Sequence, residues 1–271
     1  MIIHLAPLEG VSDCAFRTLC YNYGADVTYT EMIRVDALIR GNKSTLAMLD
    51  LKNDTPTVIQ LLPTKPTTLQ KFVEVFPLYN IKPIGFNLNL GCPSPDVIRE
   101  GSGAALIKRV ARVQELVKIL KQLGLPVTVK MRLGLNAYEK EHKVYLNLIK
   151  EVDADAFIVH ARHAREKSMD PADWKVFEEI IKTGKKIIAN GDITKIEDIK
   201  HFQKIGINEV MIARAATSNP AIFQVLKGKP KVPLPAIRYE YEKLCEQFPN
   251  HSKYKENTIK YLGKEMPIKS G

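Results

Sequence analysis

The sequence predicts a (β/α)8 TIM barrel followed by a short C-terminal helical domain. Short runs rich in β-branched residues alternate with amphipathic helical stretches eight times along the chain, a pattern typical of parallel strands joined by crossover helices. The 271 residues suffice for one such barrel and a small appendage. After about residue 228 the alternation ends in a proline-rich stretch. We therefore predict a barrel domain over 1–228 and a linker with a helical domain over 229–271.

The eight predicted strands are short runs in which apolar and β-branched residues dominate or alternate with polar ones. They span residues 2–6, 26–31, 57–62, 84–89, 127–132, 156–161, 186–191 and 209–214. Because the strands of such a barrel are parallel, their carboxyl ends meet at one mouth, where enzymes of this fold carry their active sites.

The predicted helices show apolar residues at helical spacing and residues that suit helix ends. The first begins at Ser12 as an N-cap and closes at Gly24 as a C-cap. A second has its apolar face at positions 113, 116, 117 and 120 and ends at Gly124. A third has its apolar face at positions 196, 199, 202 and 205 and ends at Gly206.

The tail mixes basic and aromatic residues. Over 229–271, nine Lys or Arg stand against five Glu, and tyrosines occupy positions 239, 241, 254 and 261. This mixture suits contacts with phosphates and stacking on bases. It suits equally a small helical pair whose apolar face, at positions 237, 241, 244 and 248, packs on the barrel. Composition leaves both interpretations open.

The formal net charge of +10 favours polyanionic partners such as nucleic acid, although Lys/Glu-rich surfaces also occur as an adaptation to heat.

No run of about 18 apolar residues is present, so no membrane partner is predicted. The amino-terminal segment does not resemble a secretion signal, and the cytoplasm is the expected location. The four cysteines, at 14, 20, 92 and 245, are not clustered and predict neither a disulfide framework nor a metal site.

Polar side chains gather at the carboxyl ends of the predicted strands. Each alone is compatible with a structural role, but together they form a poor hydrophobic layer and a suitable site for a flat polar ring system. A buried lysine in particular is costly unless a partner or an anionic group faces it. The residues are Gln60, Asn87, Asn89, Cys92, Lys130, Arg132, His160, Arg162, Asn190, Gly191, Asp192 and Arg214.

Two segments favour a phosphate-bearing cofactor. "ANGDI" follows the seventh predicted strand, and "ARAATSNP" opens the helix after the eighth. Loops at these two places form the recurrent phosphate site of the fold, and Arg214 adds a positive charge. No GxGxxG sequence follows a strand, so a Rossmann dinucleotide site is not supported.

Cys92 lies in a Gly-Cys-Pro corner at the end of the fourth strand. Gly91 permits unusual backbone angles and Pro93 fixes the next one, so the chain turns sharply over the mouth. A thiol there can deliver a proton or attack an electrophile. The alternative is that Cys92 is a small buried residue with a packing role only. Gly101 and Gly103 downstream suggest a flexible loop that closes on substrate.

Taken together, these segments resemble the tRNA-dihydrouridine synthases, a family of FMN-dependent (β/α)8 barrels with a C-terminal helical domain. The resemblance runs from "APLEGVSDCAFRTLCYNYGADVTYTEM" through "NLGCPSPDVIREGSGAAL", "VTVKMRLG", "IVHARHA" and "IANGDI" to "VMIARAATSNPAIF". The Asn-x-Gly-Cys-Pro segment with its glycine-rich continuation is the most specific part. Two features depart from the family: Ala213-Arg214 stands where Gly-Arg is usual, and the tail is short.

The resemblance implies reduction of the C5–C6 double bond of selected uridines in tRNA, with NADPH or NADH as reductant and bound FMN as intermediary. Cys92 would be the general acid that protonates C5. Asn89 and Arg162 would contact the substrate. The implied flavin-binding residues are Leu8, Glu9, Gly10, Gln60, Lys130, His160, Asn190, Gly191, Asp192, Ala213 and Arg214. A monomer with tRNA as its partner and no metal is expected; which uridine is modified is not implied.

Two other functions stay open at this point. The first is an FMN barrel that acts on a free pyrimidine, of the dihydroorotate or dihydropyrimidine type. Such an enzyme would have the same polar residues at the barrel mouth, but a free base does not require a basic surface like that of the tail. The second is a non-catalytic RNA-binding barrel. It would have the same net positive charge, but it would give no reason for Cys92, Lys130 and His160 to lie at the mouth.

Overall fold

A computed structural model describes residues 1–52, 55–167, 169–249 and 254–264 of the chain. Its strands are parallel, and helices separate all consecutive strands except the second and the third. The strands are β1 Ile2–Leu5, β2 Thr28–Tyr29, β3 Ile33–Arg34, β4 Thr57–Leu62, β5 Gly85–Leu90, β6 Val127–Met131, β7 Ala156–His160, β8 Ile187–Asn190 and β9 Glu209–Ile212.

The sheet runs in the order β1-β9-β8-β7-β6-β5-β4-β2, with β3 also paired to β4. Backbone bonds across the remaining gap join β1 to the segment just before β2. The N–H of Leu5 donates to the carbonyl of Val27, and the N–H of Asp26 donates to the carbonyl of Ile3, both at 2.8 Å. The sheet therefore closes on itself, and the predicted (β/α)8 barrel is confirmed.

The second predicted strand, over 26–31, forms a shorter regular ladder than predicted, although Asp26 and Val27 bond to β1 and the N–H of Thr30 donates to the carbonyl of Val58 at 3.0 Å. Regular pairing covers only β2, and the chain pairs with β4 again at β3 after an interruption. At the interruption, the hydroxyl of Thr30 accepts a hydrogen bond from the backbone N–H of Gln60 (3.0 Å) and donates to the carbonyl of Glu31 (2.9 Å). A side chain thus replaces a backbone partner, the usual way in which threonine interrupts a ladder.

The helices pack on the outside of the barrel. They are α1 Cys14–Asn22, α2 Val35–Ile39, α3 Lys43–Ala47, α4 Pro66–Val75, α5 Pro95–Arg99, α6 Val110–Lys121, α7 Ala137–Glu141, α8 Val144–Glu151, α9 Phe177–Ile180, α10 Ile196–Lys204, α11 Arg214–Ser218, α12 Ile222–Leu226, α13 Leu234–Gln247 and α14 Lys255–Tyr261. Short 3-10 turns cover Phe76–Tyr79, Gly103–Leu106, Trp174–Val176 and Ile181–Thr183.

The start of α1 differs from the prediction by one residue. Asp13, not Ser12, is the N-cap, and its carboxylate accepts from the N–H of Phe16 at 3.0 Å. Ser12 instead exchanges hydrogen bonds with the backbone of Leu8 in the preceding loop. Both residue types suit an N-cap, so the choice depended on the loop contacts of Ser12.

The barrel interior has an apolar layer below its mouth. Because side chains alternate along a strand, residues two positions apart share a face. The buried interior cluster comprises Ala6, Tyr29, Val58, Ala156, Ile158, Ile188 and Met211. A larger core fills the space between the strands and the surrounding helices, and burial of this apolar surface is the main favourable term in folding.

The tail helices pack on the barrel. The rings of Phe16 in α1 and Tyr241 in α13 meet edge to face with centroids 6.4 Å apart, and the N–H of Gly263 donates to the carbonyl of Ser218 at 2.8 Å. Tyr239, by contrast, is 61% exposed and lies under the ammonium of Lys243. Tyr241 thus packs against the barrel, whereas Tyr239 faces solvent. The predicted domain boundary at residue 228 stays a prediction.

Two features are absent from the described residues. None of their helices combines the length and apolar character that a membrane crossing requires. None of their His, Cys, Asp and Glu side chains gather in threes or more as candidate metal ligands.

Candidate active site

The mouth carries a polar layer directly above the apolar interior. On β5 to β8, the inward-facing residue nearest the carboxyl end of the strand is polar, and on β4 a polar residue lies two positions before the last inward-facing residue, Leu62. These residues are Gln60, Asn89, Lys130, His160 and Asn190. The carboxyl ends of five different strands thus bring these predicted site residues together.

Asn89 holds the corner that carries Cys92. Its Oδ1 accepts hydrogen bonds from the backbone N–H of Gly91 at 3.0 Å and of Cys92 at 2.9 Å. Because backbone N–H groups only donate, these two contacts fix which side of the Asn89 amide is oxygen. Asn89 therefore positions the thiol-bearing turn, in addition to any contact with substrate.

A chain of side-chain amides fixes the orientation of Asn89. Its Nδ2 donates to Gln60 Oε1 at 2.9 Å, Gln60 Nε2 donates to Asn87 Oδ1 at 2.7 Å, and Asn87 Nδ2 donates to Thr128 Oγ1 at 2.8 Å. Gln60 and Asn87 are almost fully buried. Every amide in this chain thus has a defined direction, and a fully satisfied buried network of this kind favours one conformation.

The segment after Cys92 is folded against it. The carbonyl of Cys92 accepts from the N–H of Ala104 at 3.1 Å, and the hydroxyl of Ser102 donates to the carbonyl of Pro63 at 2.9 Å. A Cβ at Gly103, whose φ is +56°, would lie 2.8 Å from the Cys92 carbonyl oxygen and 2.7 Å from a methyl of Val97. Gly103 therefore permits close packing rather than the loop flexibility that the sequence suggested.

The thiol of Cys92 is kept in its protonated form. It is half-buried, and burial raises its pKa, as does the charge of Glu9. A backbone hydrogen bond from Ser94 and the charges of Arg34 and Arg132 oppose this change without overcoming it. A thiol with a raised pKa is a poor thiolate nucleophile at neutral pH but is available as a proton donor.

Lys130 has a charge without a partner. It makes no hydrogen bond or ion pair to any residue in the described ranges. Desolvation, with a smaller contribution from Arg132, lowers the pKa of Lys130 to about 8. An unpaired ammonium in the mouth is costly by itself, so this position suits an anionic or electron-rich ligand group.

His160 is held as one neutral tautomer. Its Nε2 lies 3.0 Å from Nη1 of Arg162, and because arginine only donates, Nε2 must be the unprotonated nitrogen. Burial, followed by the charges of Arg132 and Lys130, lowers the pKa of His160 well below its usual range. The Nδ1–H is then a hydrogen-bond donor, and it has no acceptor within the described part of the chain.

Arg162 lies inside the protein, with 1% of its surface exposed. It donates to His160, to the carbonyl of Asp170 at 2.7 Å and to the carboxylate of Asp192 at 2.5 Å. Arg162 is thus placed to orient its neighbours, and its contact with the substrate stays a prediction.

Asp192 joins two arginines. Its carboxylate also accepts from Arg214 and from the N–H of Ala172. Burial alone would raise the pKa of Asp192, but the hydrogen bonds from Arg162 and Ala172 and the charges of both arginines lower it. Asp192 has a φ of +55°, unusual for a residue with a side chain, and these contacts hold it there.

Gly191 forms a close-packed floor beside His160. With φ at +120°, a Cβ at this position would lie 3.1 Å from both a carbon of the His160 ring and the Cβ of Ala172. Its carbonyl accepts from the indole N–H of Trp174 at 2.9 Å, and the neighbouring Asn190 donates to the carbonyl of Met211. The buried N–H of Gly191 has no acceptor among the described residues, which suits a ligand with an anionic oxygen.

The loop after β1 supplies the other edge of the mouth. The N–H of Gly10 donates to the carboxylate of Glu31 at 2.7 Å, and Leu8 is half-buried while Glu9 is exposed. Ala213, just after the neighbouring strand β9, precedes α11 with φ −118° and ψ −94°.

The structure gives three residues roles that the sequence analysis did not predict. The sequence marks Asn87 only as a polar strand end and assigns no contact to Thr128 or Gly103. Asn87 and Thr128 do carry a signal, since each lies two positions before a predicted site residue and so faces the same interior. For Gly103 the sequence holds no signal, because its closeness to Cys92 depends on the tertiary path of the loop.

Asn87 provides a test of the amide chain. We expect Asn87→Leu, which keeps the size, to lower the free energy of unfolding by about 1–3 kcal/mol, because Gln60 Nε2 loses its acceptor while buried. Asn87→Asp in its neutral form keeps that acceptor and keeps a donor to Thr128 Oγ1, so its loss should be clearly smaller when the carboxyl is protonated at mildly acidic pH. Urea denaturation of the three proteins measures this difference. Equal stability of the two variants would show that the chain of amides has no directional role.

Fold and site together define a (β/α)8-barrel enzyme whose mouth combines a protonated thiol, an unpaired lysine and a neutral histidine donor. The family model for dihydrouridine synthase (Dus) matches residues 4–268. The chain belongs to the dihydrouridine synthase family, whose members are flavin-dependent oxidoreductases. The resemblance seen in the sequence is thereby confirmed.

Curated relatives and solved structures agree with this family and fold. The chain is 31% identical over 231 residues to the probable tRNA-dihydrouridine synthase of Aquifex aeolicus (strain VF5), covering 83% of this chain and 72% of that protein. It is 30% identical over 230 residues to the human tRNA-dihydrouridine(47) synthase [NAD(P)(+)]-like protein, covering 83% of this chain but only 35% of that longer protein. A variant of NCR from Zymomonas mobilis shares the fold alone, with a TM-score of 0.60 at 13% identity, covering 85% of this chain and 87% of that chain.

Proposed function

We propose that this protein reduces the C5–C6 double bond of selected uridines in tRNA, with FMN bound in the mouth and NADPH or NADH as reductant. The observation that carries the proposal is the protonated thiol of Cys92, fixed by Asn89 at the edge of a mouth that contains an unpaired lysine. Family membership supports the same activity.

The residues of the mouth fit a flavin. The ammonium of Lys130, the Nδ1–H of His160 and the buried N–H of Gly191 are three donors without acceptors among the described residues. A flavin presents acceptor atoms along one ring edge and on its phosphate, so it can satisfy all three. Gly191 also leaves room for close approach, since any side chain there would meet His160. When bound, the flavin would supply the hydride.

The other residues predicted to bind the flavin receive distinct roles in this proposal. Gln60 would present an amide of fixed direction to the ring, and the loop of Leu8, Glu9 and Gly10 would border it. Asn190 and Ala213 would shape the phosphate end, where Arg214 supplies a positive charge. Asp192 would orient Arg162 and Arg214 rather than approach a phosphate itself, because like charges repel.

Cys92 would transfer its proton to C5 of the uracil ring. The raised pKa of the thiol keeps that proton in place until the ring carbon needs it, and Asn89 holds the backbone of the turn so that the thiol stays over the mouth. Arg162 would have an indirect role, because it holds His160 in the tautomer whose Nδ1–H faces a ligand.

An RNA substrate agrees with the charge of the chain. A uridine must leave its stack to enter the mouth, which costs a few kcal/mol, and contacts with the RNA backbone can offset that cost. The net charge of +10 supports such contacts, and binding that depends on them should weaken steeply as salt is raised.

Nucleoside mass spectrometry of tRNA from cells with and without this gene, mapped by position, tests the proposal. We expect dihydrouridine to be lost from defined positions in the absence of the gene and restored by the parent protein but not by Cys92→Ala. An unchanged profile, together with no reduction of unmodified tRNA by the purified flavoprotein, would contradict it. Reduction of free uracil without tRNA would favour the free-pyrimidine alternative.

A further inference from the structure

A cavity of about 390 Å³ is lined by the loops that follow β4 and β5 and by the start of α6. Its charged lining residues are Lys65, Glu100, Arg109 and Arg112, and Gly101 and Leu106 contribute to its wall. We call this cavity the rim pocket. It is separate from the polar layer of the barrel, since none of the residues of that layer line it.

The rim pocket has an excess of positive charge. The carboxylate of Glu100 pairs with Arg34 at 3.1 Å, and Arg112 pairs with Glu115 at 3.3 Å. Lys65 and Arg109 make no side-chain hydrogen bond or ion pair within the ranges that the structure describes. The Nη1 of Arg109 lies 3.7 Å from where a Cβ of Gly101 would be, so its guanidinium reaches over the glycine at the pocket wall.

The rim pocket is physically joined to the catalytic segment. Lys65 directly precedes α4, at the end of the loop from β4, and that loop is tied to the Cys92 segment by the Ser102–Pro63 hydrogen bond. Between Gly101 and Leu106, which line the pocket, the N–H of Ala104 donates to the carbonyl of Cys92. A ligand in the pocket would therefore contact the same stretch of chain that positions the thiol.

We infer that the rim pocket binds a backbone phosphate of the tRNA next to the uridine that enters the mouth. This inference rests on the proposed function. Two unpaired cations suit a phosphodiester, and the phosphates that flank an inserted base must cross the rim. The lining contains no aromatic residue that would stack on an adenine ring, which argues for a polynucleotide backbone over the nicotinamide dinucleotide.

The inference is tested by binding of an unmodified tRNA transcript to the flavin-loaded chain at several salt concentrations. The test variant is Lys65→Gln/Arg109→Gln. The matched control is Lys118→Gln/Lys200→Gln, which removes the same charge from exposed positions, one in the last turn of α6 and one in α10. Thermal midpoints of all proteins show whether they are equally folded.

For the test variant we expect about tenfold weaker tRNA binding at moderate salt. The slope of log affinity against log salt should be shallower by about 1, as for the loss of one phosphate contact. The rate of flavin reduction by NADPH and the turnover at saturating tRNA should match the parent. The control should lie close to the parent in every measurement.

Two results would overturn the inference. Binding and salt dependence equal to those of the control would mean that the rim pocket does not contact RNA. A defect confined to the NADPH step would assign the pocket to the dinucleotide. Because binding is measured without turnover, these outcomes are distinct from failure of the proposed function, which would appear as a parent protein that binds tRNA and reduces no uridine.

Discussion

Cys92→Ala is expected to slow uridine reduction by about 10²–10⁴-fold, the usual contribution of a positioned general acid. Its bound flavin and its visible absorption should stay those of the parent. The turn is held through backbone groups, by Asn89 on the N–H and by Ala104 on the carbonyl, so removal of the sulfur should leave it in place. Single-turnover reduction of a tRNA transcript, followed by nucleoside mass spectrometry, measures the rate.

The pH profile provides an independent check on the same residue. Because burial raises the pKa of Cys92, the thiol stays protonated through the neutral range, and the rate should fall only when alkaline pH removes its proton. The residual rate of Cys92→Ala should lack that limb. Reduction at the parent rate would exclude Cys92 as the acid, and loss of the flavin would show instead that the thiol is structural.

The fold could be predicted because its signals are local. Each strand is recognisable from alternating apolar residues and β-branched residues, and each helix from the spacing of its apolar residues. Neither pattern requires knowing which elements pack together. The second strand was predicted too long for the opposite reason. The hydroxyl of Thr30 takes the N–H of Gln60, a contact between residues thirty positions apart that no local pattern contains.

The candidate site divides in the same way. Gln60, Lys130 and His160 were predictable because parallel strands bring their carboxyl ends to one mouth. The interior position of Arg162 was not, because it depends on Asp192 and on the carbonyl of Asp170, which come from two different loops. The rim pocket likewise depends on the meeting of Lys65 and Arg109 from separate loops, and nothing in either segment alone indicates it.

Lys130→Met is expected to weaken FMN binding by about tenfold to a hundredfold at pH 7, since a hydrogen bond to a charged group contributes about 1.5–3 kcal/mol. Methionine keeps most of the length of the side chain and removes its charge. Lys118→Met, on the exposed face of α6, is the matched control and should bind FMN like the parent. Titration of the flavin-free proteins with FMN, followed by fluorescence quenching, measures the affinities.

The charge of Lys130 also predicts how FMN affinity depends on pH. With its pKa at about 8 in the flavin-free protein, Lys130 is largely protonated at pH 7 and largely neutral at pH 9. An anionic or electron-rich ligand favours the protonated form, so binding above pH 8 takes up a proton. The parent should therefore bind FMN about tenfold more weakly at pH 9 than at pH 7, and Lys130→Met should lose this dependence.

The flavin-free state separates a ligand-binding role from a structural one. An unpaired ammonium in the mouth opposes folding, so flavin-free Lys130→Met should be at least as stable as the flavin-free parent, and only the flavin-loaded parent should exceed it. A large loss of stability in the flavin-free variant would mean that Lys130 supports the barrel itself. Equal FMN affinity of parent and variant at pH 7 would remove Lys130 from the flavin site, and with it the reason for an unpaired cation at this position.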